Sequence, residues 1–307
     1  MTTALISHPL FERHRVPDDH PECPQRLAWI RDALLEQGLW DFLEHLEAPA
    51  ATREQLERVH TADYLDSIER RAPAEGLVRI DPDTYMGPDS LAAATHAAGA
   101  AVLATDLVIA GQVANAFASV RPPGHHAIRD SAMGFCLYNN VAVGAAHALS
   151  HDGIERVAIL DFDVHQGNGT EDIFRGHPDV LFCSTYQHPF YPFTNGASSD
   201  GDVINVPLPS GSAGAAFRDA ILDHWIPAIE AYAPQMIFVS AGFDAHVADP
   251  LGGLALTEAD YSWVTDRIVE LADRFAGGRV VSCLEGGYSP TALGPSVAAH
   301  VRSLARL

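Results

Sequence analysis

The chain has little positive charge. Its 307 residues contain 19 Lys and Arg against 40 Asp and Glu, for a formal net charge of −21 at pH 7. An acidic surface repels a phosphate backbone, and no basic patch is visible in the sequence, so we expect no nucleic-acid partner. The same charge favours cationic ligands such as lysine-rich segments or polyamines, although solubility alone also accounts for an acidic surface.

Cysteines are also scarce. Cys23, Cys136, Cys183 and Cys283 are dispersed and form no C-x-x-C pair, which predicts reduced thiols in the core rather than a disulfide framework or a zinc knuckle. The first residues lack a basic segment followed by a long apolar one, and no apolar run approaches the length that spans a membrane. We therefore expect a cytoplasmic protein with no membrane partner.

Short apolar runs rich in branched residues alternate with helical patterns, which is typical of a mostly parallel sheet covered by helices on both faces. The absence of a linker or a repeat predicts one domain over residues 1–307. The expected fold is an open α/β sheet with right-handed crossovers. Predicted strands span 114–120, 157–162, 180–185, 236–241 and 279–284. Predicted helices span 25–37, 53–59, 90–110, 140–151, 213–231, 258–275 and 291–304.

One predicted strand ends in acids and a histidine at alternating positions. Alternate side chains of a strand share a face, so Asp161, Asp163 and His165 are predicted to project to one side. Two carboxylates and an imidazole suit a divalent metal ion that takes oxygen and nitrogen ligands. The structural alternative is a buried strand with a polar exit. The histidine and the glycine-rich segment 166–170 favour the metal site.

Polar segments follow four of the predicted strands. In open α/β sheets, ligands bind beyond the carboxyl ends of the strands, so these segments predict one shared site. The four segments are Arg121-Pro122-Pro123-Gly124-His125-His126, Asp161-Phe162-Asp163-Val164-His165, Gly242-Phe243-Asp244-Ala245-His246-Val247-Ala248-Asp249-Pro250 and Glu285-Gly286-Gly287-Tyr288.

Together with residues 20–26 and 134–142, these segments resemble the metal-dependent histone deacetylase and acetylpolyamine amidohydrolase superfamily, in particular bacterial relatives of class II deacetylases. The matching motifs span nearly the whole chain in order. The resemblance implies the three-layer arginase-deacetylase fold. It also implies hydrolysis of N-acyl amides, with N-ε-acetyl-lysine in proteins or peptides as the first choice and acetylated polyamines or other small acyl-amines as the alternative.

The resemblance implies a metal centre. Asp163, His165 and Asp244 match the three protein ligands of a catalytic zinc, and such a set leaves coordination room for water and a substrate oxygen. Because two carboxylates make a rather hard ligand set, Fe(II) is the alternative ion. The family also places a structural K+ beneath the zinc, with ligands from Asp161, Asp163, His165 and Ser184.

The tandem histidines match the family's proton carriers. By resemblance His126 acts as general base and then as acid, with Asn168 as its partner, while His125 pairs with Asp161 and orients the water. Tyr288 matches the tyrosine that donates to the oxyanion, and the adjacent glycines are expected to let its loop swing. An idle, exposed histidine pair is the structural alternative.

The implied substrate tunnel has two aromatic walls, Phe135 and Tyr191, which suit an aliphatic stem. Leu251 lies where polyamine-selective relatives can carry an acid, so an apolar residue there favours acyl-lysine or broad acyl-amide substrates. Either Asp81 or Asp83 is expected to contact the substrate at the rim. The expected tunnel residues are Gly134, Phe135, Tyr191, Leu251, Gly286 and Gly287.

Two other classes of protein remain as alternatives. A manganese ureohydrolase shares the fold, and His246 and Asp249 fit its pattern, but the tandem histidines do not; both residues are therefore expected to be structural. A non-catalytic acyl-ligand sensor would not need every catalytic group. The other histidines, including His8, His14 and His20, show no spacing that indicates a site. Acyl-chain preference and homo-oligomer formation are left open.

Overall fold

Ten strands and eleven α-helices alternate along the residues that this computed structural model describes, 2–194, 199 and 201–307. The strands are β1 (Thr3–Ser7), β2 (Leu43–Glu47), β3 (Val78–Arg79), β4 (Tyr85–Met86), β5 (Asn115–Ala118), β6 (Val157–Asp161), β7 (Val180–Gln187), β8 (Val203–Leu208), β9 (Met236–Ala241) and β10 (Val280–Leu284). The α-helices are α1 (Leu10–Arg13), α2 (Gln25–Glu36), α3 (Arg53–Glu57), α4 (Ala62–Arg71), α5 (Ser90–Ile109), α6 (Asn140–Ala148), α7 (Asn168–Phe174), α8 (Gly214–Ala220), α9 (Ile226–Tyr232), α10 (Glu258–Phe275) and α11 (Leu293–Ala305).

Eight strands form one parallel sheet in the order β2-β1-β5-β10-β9-β6-β7-β8. The connections from β1 to β2 and from β9 to β10 step one way along the sheet, and those from β5 to β6 and from β6 to β7 step the other way. Right-handed crossovers therefore place α2 and α10 on one face and α6 and α7 on the other. Contacts of α11 with α2 and α10, and of α5 with α6, complete the two layers. The predicted three-layer α/β fold is confirmed.

All five predicted strands are present, with ends that differ by one or two residues at most sites. The apolar runs of β6, β9 and β10 are buried on both faces, which explains why they lack alternation. The elements that were not predicted are β1, β2, β3, β4 and β8, together with α1, α4 and α7. Strands β2 and β8 lie at the sheet edges, where polar residues interrupt the apolar run.

The helix predicted over residues 213–231 is interrupted. A π-helical segment, Ile221–Trp225, separates α8 from α9. Pro227 follows that segment, and proline has no N–H to donate to the preceding turn, which is a common cause of such a break. In contrast, the helix predicted from residue 53 begins with a capping box, because Thr52 and Gln55 each accept a hydrogen bond from the other's backbone N–H.

Helix α5 corrects one expectation. By length and composition it is apolar enough to cross a membrane, so it was wrong that no apolar run approaches that length. In the fold, 61% of its most apolar window is buried, and it packs on α6, β5 and β10. The helix therefore serves as part of the core here.

Candidate active site

The loop after β6 brings the first candidate ligands together. The strand ends at Asp161, so the predicted alternation of side chains across a strand does not extend to Asp163 and His165. Instead, Asp161 Oδ1 accepts from the N–H of Asp163 at 3.1 Å, and Asp163 Oδ1 accepts from the N–H of His165 at 2.9 Å. Such carboxylate-to-backbone bonds bend the chain. Turn geometry, rather than the pleat of a strand, makes the side chains converge.

Asp163, His165 and Asp244 form a compact group whose candidate ligand atoms all lie within 4.8 Å of one another. His165 Nδ1 lies 3.0 Å from Asp163 Oδ1 and 3.2 Å from Asp244 Oδ2. Asp244 reaches the group from the segment after β9, and its Oδ1 accepts from the N–H of Val164 at 2.8 Å. Two carboxylates and one imidazole are therefore held together by backbone contacts.

The electrostatics of this group favour a cation. Burial disfavours a charged His165, but its contacts with Asp163 and Asp244 outweigh burial and raise its pKa to about 10. Burial and the Asp163 carboxylate raise the pKa of Asp244 to about 7. Asp244 Oδ2 is buried and has no donor in hydrogen-bond geometry within the described part of the chain. Oxygen and nitrogen atoms with excess negative charge fit a divalent metal ion.

Gly286 is needed at this site because the carboxylates approach its backbone closely. A Cβ at this position would collide with Asp244 Oδ2 and Asp163 Oδ2, and the N–H of Gly286 donates to Asp163 Oδ2 at 2.8 Å. From the sequence, these glycines are expected to let the loop of Tyr288 swing. The structure gives Gly286 a different role, since the absent side chain makes room for the candidate ligands.

The tandem histidines lie beside this group with defined partners. His125 Nδ1 lies 2.9 Å from Asp161 Oδ2, and His126 Nδ1 lies 2.7 Å from Asn168 Oδ1. The amide nitrogen of Asn168 donates to Met133 Sδ at 3.3 Å, which leaves its oxygen toward His126. The proton of a neutral His126 therefore sits on Nδ1, and Nε2 keeps a free lone pair.

The two imidazoles have opposite electrostatic surroundings although their ring centres are 4.1 Å apart. Burial lowers the pKa of His125, but Asp161 and Asp163 outweigh burial and raise it well above its usual value. Burial and the neighbouring His125 and His165 keep the pKa of His126 well below its usual value. The surroundings thus favour a proton on His125 and disfavour one on His126, an arrangement suited to one electrostatic and one proton-accepting group.

Tyr288 is held in place through its backbone. Its N–H donates to Asp249 Oδ2 at 2.6 Å, and the N–H of Ser289 donates to the same oxygen at 3.1 Å. The ring contacts Phe135 edge-on at 5.8 Å between centroids and lies 5.0 Å from the Arg26 guanidinium carbon. Burial raises the pKa of Tyr288 well above its usual value, so the hydroxyl stays protonated and able to donate. Asp249, expected to be only structural, anchors this loop.

A buried ion-pair network supports the same loop from behind. Glu22 Oε1 lies 3.1 Å from Arg26 Nη1, and both Glu22 oxygens accept from Arg121 at 2.5 and 2.7 Å. Arg26 in turn donates to the carbonyl oxygens of Gly287, at 2.7 Å, and Glu285. Burial would raise the pKa of Glu22, but Arg121 and its other cationic neighbours lower it to about 2. In the sequence, Glu22, Arg26 and Arg121 stand out only as parts of motifs.

The side chains of His125, His126, His165 and Tyr288 line one cavity of about 270 Å³. Phe135 forms one wall, and Tyr191 meets His126 edge-on at 5.1 Å between centroids. Phe190, which was not predicted, stacks on His165 at 5.3 Å with 16° between the ring planes. Expected tunnel residues that line the cavity are Gly134, Phe135, Tyr191, Leu251 and Gly286; the lining does not include Gly287.

The structure distinguishes the two rim acids. Asp83 lines the cavity and accepts from the N–H of Gly134 at 3.1 Å, whereas Asp81 Oδ1 accepts from Asp83 and Thr84 and shapes the turn. Burial and Asp81 raise the pKa of Asp83 to about 6. Gly134 has a positive φ of 56°, and a side chain there would collide with the His126 ring. Residues 195–198 and 200, which come between β7 and β8 in the chain, lie outside the described residues.

Ser184 lies beside the candidate metal group. It pairs with Asp161 in the register of β6 and β7, and its buried Oγ has no hydrogen-bond partner among the described residues. A buried hydroxyl without a partner is costly unless an ion or water satisfies it. The position therefore has the chemistry of a cation ligand next to the Asp161 carboxylate.

Comparison with known proteins identifies the family. A model of the histone deacetylase domain matches residues 20–304. The chain is 40% identical over 277 residues to a histone deacetylase-like amidohydrolase of Pseudomonas aeruginosa, covering 88% of this chain and 73% of that protein. It is 36% identical over 325 residues to the polyamine deacetylase HDAC10 of Mus musculus, covering 99% of this chain and 48% of that protein.

Among solved structures, the HDA15 HD domain matches with a TM-score of 0.92 and 35% identity, covering 99% of this chain and 90% of that chain. The fold is therefore that of the histone deacetylases, a family of metal-dependent enzymes. The resemblance stated from the sequence motifs is confirmed. This chain belongs to the histone deacetylase family and is a hydrolytic deacetylase.

Proposed function

We propose that the protein is a zinc-dependent deacylase that cleaves N-acyl amides, with N-ε-acetyl-lysine in peptides or proteins as its first substrate class. This proposal depends on one observation: His126, His165 and Tyr288 all line the same aromatic cavity. A metal ligand, a proton carrier and a hydroxyl donor then face the same small space. Acyl-amide hydrolysis needs all three.

Asp163, His165 and Asp244 would hold the ion. Two carboxylates and one imidazole suit Zn2+, and Fe(II) is the alternative. The ion, when bound, polarises the acyl carbonyl and acidifies the attacking water. We also propose a structural K+ near Asp161, Asp163 and His165, because Ser184 Oγ is buried beside Asp161 and has no partner in the residues that the structure describes.

The chain's own residues carry the proton. His126 Nε2 takes it from the attacking water, since Nδ1 is occupied by its contact with Asn168 Oδ1. The same nitrogen then gives the proton to the leaving amine. His125, paired with Asp161, supplies a fixed positive charge and orients the water. The Tyr288 hydroxyl donates to the oxyanion, in the position that Asp249 sets through the backbone.

The cavity supports a substrate with an aliphatic stem. Phe135, Tyr191 and Leu251 present apolar surface along it, and the net charge of −21 attracts lysine-rich segments. Acetylated polyamines are the second candidate, favoured by the acidic Asp83 in the lining and by the relative named polyamine deacetylase. The single domain, the cytoplasmic location and the absence of nucleic-acid and membrane partners stay predictions, and homo-oligomer formation stays open.

The test compares substrates and ions on one purified protein. After chelation, Zn2+ or Fe(II) is restored, and turnover of a fluorogenic acetyl-lysine peptide is compared with that of acetylated spermidine and of longer acyl-lysine peptides. We expect the acetyl-lysine peptide to give the highest kcat/KM, with Zn2+, and a hydroxamate to block it. A higher kcat/KM for the acetylated polyamine would overturn the substrate class. Hydrolysis of arginine or agmatine with Mn2+, without amide turnover, would overturn the reaction itself.

A further inference from the structure

A second group of metal-ligating side chains lies away from the active-site cavity. Asp106 is in the last turn of α5, His147 is in the last turn of α6, and His151 is in the turn that follows α6. Their candidate ligand atoms lie within 4.8 Å of one another, and none of the three residues lines the cavity. The ring nitrogens of the two histidines lie 3.3 Å apart, and the packing of α5 on α6 places Asp106 opposite them.

The distances among these atoms resemble the edges of a coordination polyhedron. Asp106 Oδ1 lies 2.8 Å from His147 Nε2 and 3.0 Å from His151 Nε2, and the two nitrogens are 3.3 Å apart. Ligands about 2.0–2.2 Å from a tetrahedral zinc are roughly 3.3–3.5 Å from one another. The histidine nitrogens already match that separation. Asp106, whose side chain is 48% exposed, has room to retreat by the few tenths of an ångström required.

One carboxylate oxygen lies within hydrogen-bond distance of both ring nitrogens, and the two nitrogens lie 3.3 Å apart. Two N–H groups can share that oxygen, but they then bring their hydrogens close together. A cation removes this crowding, because both nitrogens then offer lone pairs instead of hydrogens. Two neutral imidazoles and a carboxylate are also the ligands that borderline transition ions prefer.

We propose that Asp106, His147 and His151 form a second site for a divalent transition ion, with Zn2+ as the probe ion, separate from the active site. Three protein ligands leave a position for water, as in other open zinc sites. The bound ion joins the end of α5 to the end of α6. Because it binds the folded chain, it raises stability rather than taking part in hydrolysis.

Arg58 opposes the ion. Its Nη1 lies 2.7 Å from His147 Nδ1 and donates to that nitrogen. An imidazole that binds metal through Nε2 carries its proton on Nδ1, so the arginine has to leave when the ion enters. Its other partner is Glu54 on the surface, whose Oε1 lies 3.3 Å from Arg58 Nη2. The guanidinium can keep this ion pair when it moves away from His147. Removing Arg58 should therefore strengthen metal binding.

The experiment measures bound zinc in the full-length protein dialysed against buffered Zn2+. We expect wild type to hold one equivalent more than His151→Ala and Asp106→Asn, and its thermal midpoint to rise with Zn2+ where that of the variants does not. Arg58→Met should bind the extra equivalent at roughly tenfold lower free Zn2+, the usual size of an outer-shell effect. The proposal is tested by the difference in bound zinc between wild type and the variants. The result is therefore independent of which ion the active site holds.

The matched control is His177→Ala. His177 Nδ1 lies 3.9 Å from Asp179 on the surface, and the pair belongs to no three-residue cluster among the described residues. This variant should retain the extra equivalent. Equal zinc content and equal thermal shifts in wild type, His151→Ala and Asp106→Asn would overturn the proposal, whether or not the protein proves to be a zinc deacylase.

Discussion

The active-site cluster (Asp163, His165 and Asp244) and the peripheral cluster (Asp106, His147 and His151) use the same two residue types in very different surroundings. In the active-site cluster the carboxylate side chains are 1% and 0% exposed, whereas in the peripheral cluster Asp106 is 48% and His151 is 33% exposed. Water can solvate the peripheral cluster when no ion is bound. The buried carboxylates have no such alternative, so their need for a cation is much greater.

The clusters also differ in how firmly they are held. Backbone N–H groups of Val164, His165 and Gly286 donate to the carboxylates of the active-site cluster. The peripheral cluster has no comparable support in the described residues, and Arg58 competes with an ion there. Pre-organised ligands lose little on binding, so the buried cluster should bind tightly and the peripheral cluster weakly and reversibly.

Removing a ligand of the active-site cluster should have the largest effect. Asp244→Asn should lower kcat for an acetyl-lysine peptide on the order of 10³-fold or more, because a catalytic ion contributes several kcal/mol to transition-state stabilisation. Steady-state kinetics and metal content measured on the same sample check this. The matched variant in the peripheral cluster, Asp106→Asn, should keep its rate. A fast Asp244→Asn enzyme would contradict the assignment of the ligand set.

The proton carrier should rank second. His126→Ala should lower kcat on the order of 10²-fold, the usual contribution of a general base, with little change in KM or metal content. The peripheral counterpart is His147, which has an imidazole of similar burial but no contact with the cavity. His147→Ala should leave kcat unchanged. If His126→Ala retained the full rate, another group would have to carry the proton.

The sequence indicated the candidate site residues better than it indicated the contacts that hold those residues in place. The four polar segments follow β5, β6, β9 and β10, four strands adjacent in the sheet, so a parallel topology alone brings them together. Those segments are local patterns that can be read along the chain. Their convergence beyond the carboxyl ends of these four strands follows from the fold class.

The supporting contacts are long-range and leave no local pattern. Asp249 reaches Tyr288 across 39 residues, and Glu22 reaches Arg121 across 99. The stacking of Phe190 on His165 likewise depends on where two loops meet. His147 and His151 did have a readable four-residue spacing, but their partner Asp106 comes 41 residues before His147 on another helix. Spacing along one helix therefore did not reveal the cluster.

A smaller effect is expected for the anchor of the tyrosine loop. Asp249 accepts three backbone N–H groups through two oxygens, from Leu251, Tyr288 and Ser289. Asp249→Asn keeps only one acceptor oxygen, so one side of the loop loses its support. We expect kcat to fall roughly tenfold through misplacement of the Tyr288 hydroxyl, with metal content unchanged. Loss of metal instead would show that Asp249 acts on the active-site cluster and not on the loop.

The smallest effect separates the two clusters directly. If a chelator of increasing concentration is added to the zinc-loaded protein, the peripheral ion should leave first, because its ligands are exposed and opposed by Arg58. The thermal midpoint should then fall by a few degrees, the shift that about 1 kcal/mol produces in a domain of this size, before any activity is lost. In His151→Ala the first stage should be missing. Simultaneous loss of stability and activity would mean that one buried ion accounts for both. The difference in exposure would then not produce two ions of different affinity.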